Sequence, residues 1–233
     1  MACALRKVSY MVRHMNLNKL WEEAFQESIA EIEQRTGTNP MDWRVGGRAT
    51  KVNPDKENKV WWDVNGREML ANFVEMWRNL GWKIWQAPDG NYGVEMGFNV
   101  MFGDVLIKGF ADLVAVLPTG ELAVIDFKTG SSTPETGMQL GMYACCIESL
   151  FGVRPTRGYF YSARESQFIE VNDIDRWTMP LMTEMFRQFN IAIENKIFLP
   201  NIGMSCRTCG VKDYCFAMGG ELSQIYDSLS HTK

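Results

Sequence analysis

Two apolar runs in this chain each carry an aspartate where a buried strand should have none. "KGFADLVAVL" contains Asp112, and "ELAVIDFK" contains Asp126 with Lys128 two residues further on. Side chains alternate along a strand with period two. Val124, Asp126 and Lys128 therefore share one face of the second run, and Ile125 and Phe127 share the other. An odd-length loop such as Pro118-Thr119-Gly120 sets Asp112 directly opposite Asp126. Facing like charges repel, so such a pair calls for a cation between the two carboxylates. Lys128 supplies one positive charge and a divalent metal supplies two. The plainer alternative is a half-exposed strand with Asp126 and Lys128 in solvent.

The chemistry favours a metal. Mg²⁺ takes oxygen ligands, commonly one or two carboxylates with water and substrate phosphate. It can activate water for attack on phosphorus and stabilise the departing oxygen. Lys128 adds a fixed charge for the phosphorane that develops. The pattern D-x13-D-x-K thus makes sense as a metal-dependent phosphodiesterase centre.

The flanking sequence supplies a frame. Residues 17–33 place Leu20, Trp21, Ala24, Phe25, Ile29 and Ile32 at helical spacing, and residues 62–80 do the same with Met69, Leu70, Phe73, Val74, Trp77 and Leu80. Residues 41–60 read as an exposed loop. Strand-like runs follow at "WKIWQAP", "YGVEMGFNVMF", "VLIKGFADLVAVL" and "ELAVIDFK", punctuated by turn residues. Then come a helix over about 137–150, the strands "RGYFYSA" and "SQFIEV", and a long helix from Asn172 to Lys196 with Trp177, Leu181, Met185, Phe189 and Ile193 facing inward. The order predicts an α/β (α+β) domain with a central mixed β-sheet flanked by helices.

The 233 residues carry a net charge of −4, which disfavours charge-driven binding to nucleic acid but leaves room for a site whose carboxylates hold cations. Two histidines, His14 and His231, exclude histidine-rich metal sites. No apolar run approaches the ~18 residues of a membrane span, and the basic N-terminus lacks a signal-peptide pattern. A cytoplasmic setting is expected. There a C-x2-C-x5-C cluster, Cys206, Cys209 and Cys215, suggests a metal or iron–sulfur site rather than disulfides. Cys145 and Cys146 read as small buried hydrophobes. Arg154, Arg157 and Arg164, with Tyr159 and Tyr161, have the composition of a single-strand-binding face, although most such charges form a solvated surface.

The series "GFAD", hairpin, "IDFKTG", "QLGMY" and "CRTCGVKDYC" resembles the RecB-type branch of the PD-(D/E)XK nucleases, in particular the iron–sulfur exonucleases of CRISPR-associated, helicase–nuclease and phage systems. It covers roughly residues 20–218. The resemblance implies a restriction-endonuclease-like core over 82–200, after an N-terminal helical region at 1–81. A C-terminal cysteine cluster at 201–218 and a polar tail at 219–233 would follow. It implies Asp112 and Asp126 as ligands of Mg²⁺ or Mn²⁺, joined by the Phe127 carbonyl, with Glu95 in support and Lys128 as the catalytic lysine. Gln139 and Tyr143, four apart on one helix face, match a Q-x3-Y pair that contacts substrate or orients catalytic groups.

The resemblance further implies a [4Fe-4S] cluster on Cys206, Cys209 and Cys215, with zinc the alternative. Three thiolates leave a four-coordinate site open, and Cys3 is the upstream candidate for the fourth ligand. The family's G-x3-H motif is missing, and His14 lacks the preceding glycine. The implied function is a DNA exonuclease acting on single strands or duplex ends, with a recombination or helicase partner. It would work in phage DNA recombination, repair or replication, in the host cytoplasm. The alternative is an inactive, nuclease-like DNA-binding or assembly subunit.

Overall fold

Asparagine caps launch the two N-terminal helices. In the computed structural model, which describes residues 16–43, 57–203, 205–206 and 209–219, Asn16 Oδ1 accepts from Lys19 N–H at 3.2 Å ahead of α1 (Leu17–Thr36). Asn58 Oδ1 accepts from Trp61 N–H at 2.9 Å ahead of α2 (Lys59–Leu80). Each cap satisfies one of the donors that a helix start leaves unpaired. Both helices end on a left-handed glycine, Gly37 and Gly81.

The sheet has six strands: β1 (Lys83–Ile84), β2 (Val94–Phe102), β3 (Val105–Val116), β4 (Leu122–Lys128), β5 (Arg157–Ser162) and β6 (Gln167–Val171). Their order is β1-β3-β4-β5-β6, with β2 also on β3. All pairs are antiparallel except β4 with β5. That parallel pair requires a crossover, and α3 (Met138–Phe151) supplies it. The mixed α+β architecture expected from the sequence is thus present.

The described residues divide into two compact units, one up to residue 187 and the other from residue 188. Within the first, each sheet face carries its own core. Leu113, Ala115, Ala123, Ile125, Phe127, Tyr159 and Tyr161 pack with α1 and α2. Val114, Val124 and Phe160 pack with Leu140, Ala144, Cys145 and Ile147 of α3. In the second unit, short 3₁₀ turns at Lys212–Tyr214 and Phe216–Met218 follow the cysteine-bearing loop.

The long C-terminal helix differs from expectation. A 3₁₀ turn at Ile174–Arg176 comes first, and α4 begins only at Met179. Pro180 suits the first turn of a helix and no later position. Met182 is buried and Phe186 packs beside it. That register leaves Leu181, Met185, Phe189 and Ile193 exposed, so the stripe expected to face inward does not. Of the expected inward set, only Trp177, ahead of the helix, is buried. Among the described residues, no helix is long and apolar enough to cross a membrane.

The α1–α2 contact depends on Gly66. A Cβ there would lie 2.0 Å from the Trp21 ring, while Trp21 Nε1 donates to Asp63 Oδ1 at 3.0 Å one turn earlier. Alanine would gain about 1 kcal/mol in helix propensity but must displace a buried indole, an overpacking cost of about 1–3 kcal/mol or more. Gly66→Ala is therefore expected to lower the melting temperature by several degrees, measured by circular dichroism. An unchanged or higher value would show that the helices separate at no cost.

Candidate active site

The β3–β4 ladder stops one step short of the two aspartates. Its last pair is Leu113 with Ile125, so in the same register the next pair is Asp112 with Asp126. Past that point β3 continues with β2 alone. The donor left over at the end of the ladder, Phe127 N–H, is taken by Asp112 Oδ2 at 2.9 Å. N–H and C=O of a strand residue leave by the same edge. Lys128 C=O points the other way and accepts from Ala163 N–H at 2.9 Å. The Phe127 carbonyl therefore looks into the same gap as Asp112.

The divergence has a local cause. Met96, Phe98, Val100 and Phe102 face the α3 core, yet Val94 faces the α1–α2 core; on β3 the same switch separates Ala111 from Leu113. Pairing runs Val94 with Leu113 and Met96 with Ala111, so no residue is inserted in either strand. Glu95, with φ +48°, sits at the switch opposite Asp112. A left-handed residue that is not glycine is uncommon, and here it reverses the alternation of the sheet beside the acidic pair.

Asp112 is 8% exposed and Asp126 3%, which excludes the half-exposed strand. The Lys128 ammonium lies 2.7 Å from Asp126 Oδ2 as an ion-pair contact rather than an aligned hydrogen bond, and 5.2 Å above the Phe160 ring. Gln139 bridges the cluster: its Oε1 accepts from Lys128 Nζ at 2.8 Å, and its Nε2 donates to Asp126 Oδ1 at 2.7 Å. Tyr143 OH lies 2.7 Å from Gln139 Nε2 and 3.3 Å from Asp126 Oδ1. Asp112, Asp126, Lys128, Gln139 and Tyr143, all singled out in the sequence, thus form one site.

Burial pushes the Asp126 carboxyl above the usual aspartate range, and the Asp112 charge adds to the rise against the opposing pull of Lys128. Burial and Asp126 together also raise the Tyr143 hydroxyl, so it stays protonated near neutrality and serves as a donor. Two buried carboxylates and a backbone carbonyl are hard oxygen donors that suit Mg²⁺ or Mn²⁺, and their unfavourable charge is what a divalent cation relieves.

The family model for the PD-(D/E)XK nuclease superfamily matches residues 13–216. The chain belongs to that superfamily. The Gene 69 protein of Mycobacterium phage D29 is 32% identical over 158 residues, covering 64% of this chain and 57% of that protein. The Gene 69 protein of Mycobacterium phage L5 is 30% identical over 151 residues, covering 63% and 50%. The chain spans about half the length of the curated relatives it matches. Members of the superfamily generally use divalent metals such as Mg²⁺ or Mn²⁺.

Other expected ligands do not gather. Among the described residues, no three His, Cys, Asp or Glu side chains converge to hold a metal. Glu95 therefore does not join Asp112 and Asp126 in a three-carboxylate set. Cys206, Cys209 and Cys215 are free, half-exposed thiols, and Cys206 Sγ accepts from Gly203 N–H at 3.3 Å. Cys3 and His14 lie outside the described residues. Cys145 and Cys146 are buried as expected, and burial pushes the Cys146 thiol up to about 12.

The three arginines are spent internally. Arg154 pairs with Glu148 and donates to Trp177 C=O at 3.0 Å, and Arg157 pairs with Glu170. Arg164 forks onto both oxygens of Glu57 at 2.7 Å, donates to Thr129 C=O at 2.8 Å, and lies 5.3 Å from each of the Trp61 and Trp62 rings. That last network, which sequence reasoning missed, pins the segment just after Lys128. Glu57 is 107 residues from Arg164 and carries no motif. Asp173 was also missed: its Oδ1 accepts from Gly137 N–H at 2.9 Å and anchors the start of the helix that carries Gln139.

In the metal-free protein, ionised Asp126 is a burden. A carboxyl raised by folding contributes stability that is fully present below the ordinary aspartate range and is lost as pH rises through its folded pKa. Asp126→Asn keeps a partner for Gln139 without the charge. Its melting temperature in chelator at pH 7–8 is expected to match or exceed wild type, with a flatter pH dependence above the aspartate range. A marked drop at neutral pH would mean that the Lys128 ion pair outweighs burial.

Proposed function

We propose that this chain is a metal-dependent DNA exonuclease of RecB-like type that hydrolyses phosphodiester bonds of single strands or duplex ends in phage DNA recombination, repair or replication. The observation that carries this reading is the buried Asp112–Asp126 pair with Lys128 beside it, an arrangement that costs stability in the absence of a cation. Asp112, Asp126 and the Phe127 carbonyl would hold Mg²⁺ or Mn²⁺, which supplies Lewis acidity and charge to the phosphodiester.

The chain's own residues do the rest. Lys128 presents an ammonium to negative charge that develops at phosphorus. Gln139 keeps that ammonium and the Asp126 carboxylate in fixed relation through one amide group. Tyr143, held protonated, donates to the same Asp126 oxygen that Gln139 holds. A Q-x3-Y pair placed against the second aspartate supports the RecB-like assignment. Against an inactive subunit stands the burial of Asp112 and Asp126 in positions where apolar residues would pack more cheaply.

End-labelled single-stranded and duplex DNA with Mn²⁺ tests the reading. Wild type should release label progressively from an end, and Asp126→Ala and Lys128→Ala should each lose about 10²-fold or more of that rate. Mg²⁺ or Mn²⁺ should raise the melting temperature of wild type but not of Asp126→Ala. Wild-type protein that binds metal yet cleaves neither substrate would favour the inactive subunit.

A further inference from the structure

The outer face of the β2–β3 hairpin carries an aromatic side chain that folding leaves uncovered. Phe110 is 62% exposed, and no other aromatic ring pairs with it among the described residues. It stands two residues before Asp112 on β3, about 7 Å along the strand. Directly across from it on β2 is Gly97. A Cβ at residue 97 would meet Phe110 Cε1 at 3.2 Å, so the ring lies over a position without a side chain. The ring thus sits against a residue without a side chain and stays largely exposed.

The same face continues away from the aspartates. Exposure alternates along β3, with Leu106, Lys108 and Phe110 outward and Ile107 and Gly109 turned in. Lys108 is exposed, forms no ion pair among the described residues, and lies across from exposed Asn99. It differs in this from Arg154, Arg157 and Arg164, each of which is ion-paired with a glutamate of the same chain. A flat aromatic, then a free cation one side-chain repeat further on, is the alternation that a single nucleic-acid strand presents as base and phosphate.

Resting on the nuclease reading above, we propose that Phe110 and Lys108 form a single-strand platform leading to the active site. Phe110 stacks on an unpaired base next to the scissile phosphate, and Lys108 meets a backbone phosphate beyond it. Phe110 lies two residues from Asp112 along β3, at the point where the alternation of the sheet reverses, and a stacked base has no sequence preference because every base offers a π-face. The surface would therefore select for unpaired ends rather than for sequence. Phe110 and Lys108 act as specificity residues and touch no reacting atom.

Binding separates this proposal from the chemistry. A fluorescein-labelled oligothymidylate is titrated in chelator, where no cleavage occurs, into wild type, Phe110→Ala, Phe110→Trp and Lys108→Gln. Phe110→Ala should weaken binding about ten-fold with the melting temperature unchanged, Phe110→Trp should restore it, and Lys108→Gln should flatten its salt dependence. A blunt duplex should lose much less. Equal affinity of wild type and Phe110→Ala for the oligonucleotide would overturn the platform, as would loss of self-association in place of DNA binding. Phe110-dependent binding by a wild type that cleaves nothing with Mn²⁺ would keep the platform and refute the exonuclease.

Discussion

One hydrogen bond organises the centre of this molecule: Phe127 N–H to the Asp112 carboxylate. It stands where the next rung of the β3–β4 ladder would be. A regular ladder would have closed that space with backbone pairing and left the two aspartates facing each other across a sealed sheet. With the side chain of Asp112 substituting for a backbone acceptor, the edge of β4 stays satisfied while its carbonyl side remains open. The opening is what makes carboxylates and carbonyl a donor set rather than a buried fault.

That opening has to be maintained from both sides. On β2, Glu95 adopts a left-handed backbone and turns the hairpin so that its far half faces a different core from its near half. On β4, Lys128 C=O is held by Ala163 and Thr129 C=O by Arg164, so the strand end cannot drift into the gap. The bidentate pairing of Arg164 with Glu57, flanked by two indoles, is the kind of geometry a lysine would not reproduce. The result is an acidic pair kept apart by structure on each side, with its charge moderated by Lys128 and Gln139.

Much of this was legible in the sequence because it obeys local periodicity. Period-two alternation identified Asp126 and Lys128 as neighbours, and i,i+4 spacing put Gln139 and Tyr143 on one helix face. Helix and strand runs followed from apolar spacing and from the asparagine, glycine and proline signals at their ends. Features that join distant segments were not legible. Glu57 with Arg164, and Asp173 with the start of α3, are pairings of ordinary surface residue types that only the folded chain brings together. The α4 stripe shows the opposite failure: Leu181, Met185, Phe189 and Ile193 have a helical spacing, but spacing does not say which side the core is on. Proline at residue 180 and the burial of Met182 decided that.

The arginines illustrate why composition misleads about partners. Arg154, Arg157 and Arg164 flank two tyrosines in sequence and look like a nucleic-acid face, yet each is a strut between elements. Arg164 serves its half-buried carboxylate bidentately, so redirecting it to a phosphate would leave that acid unpaired, whereas Arg154 and Arg157 pair with exposed glutamates and are held more weakly. In a chain of net charge −4, the basic groups most conspicuous in sequence are thus already paired with carboxylates of the same chain. Attraction for a polyanion falls to exposed cations outside such pairs, Lys108 among them, and to what the acidic pair itself can hold.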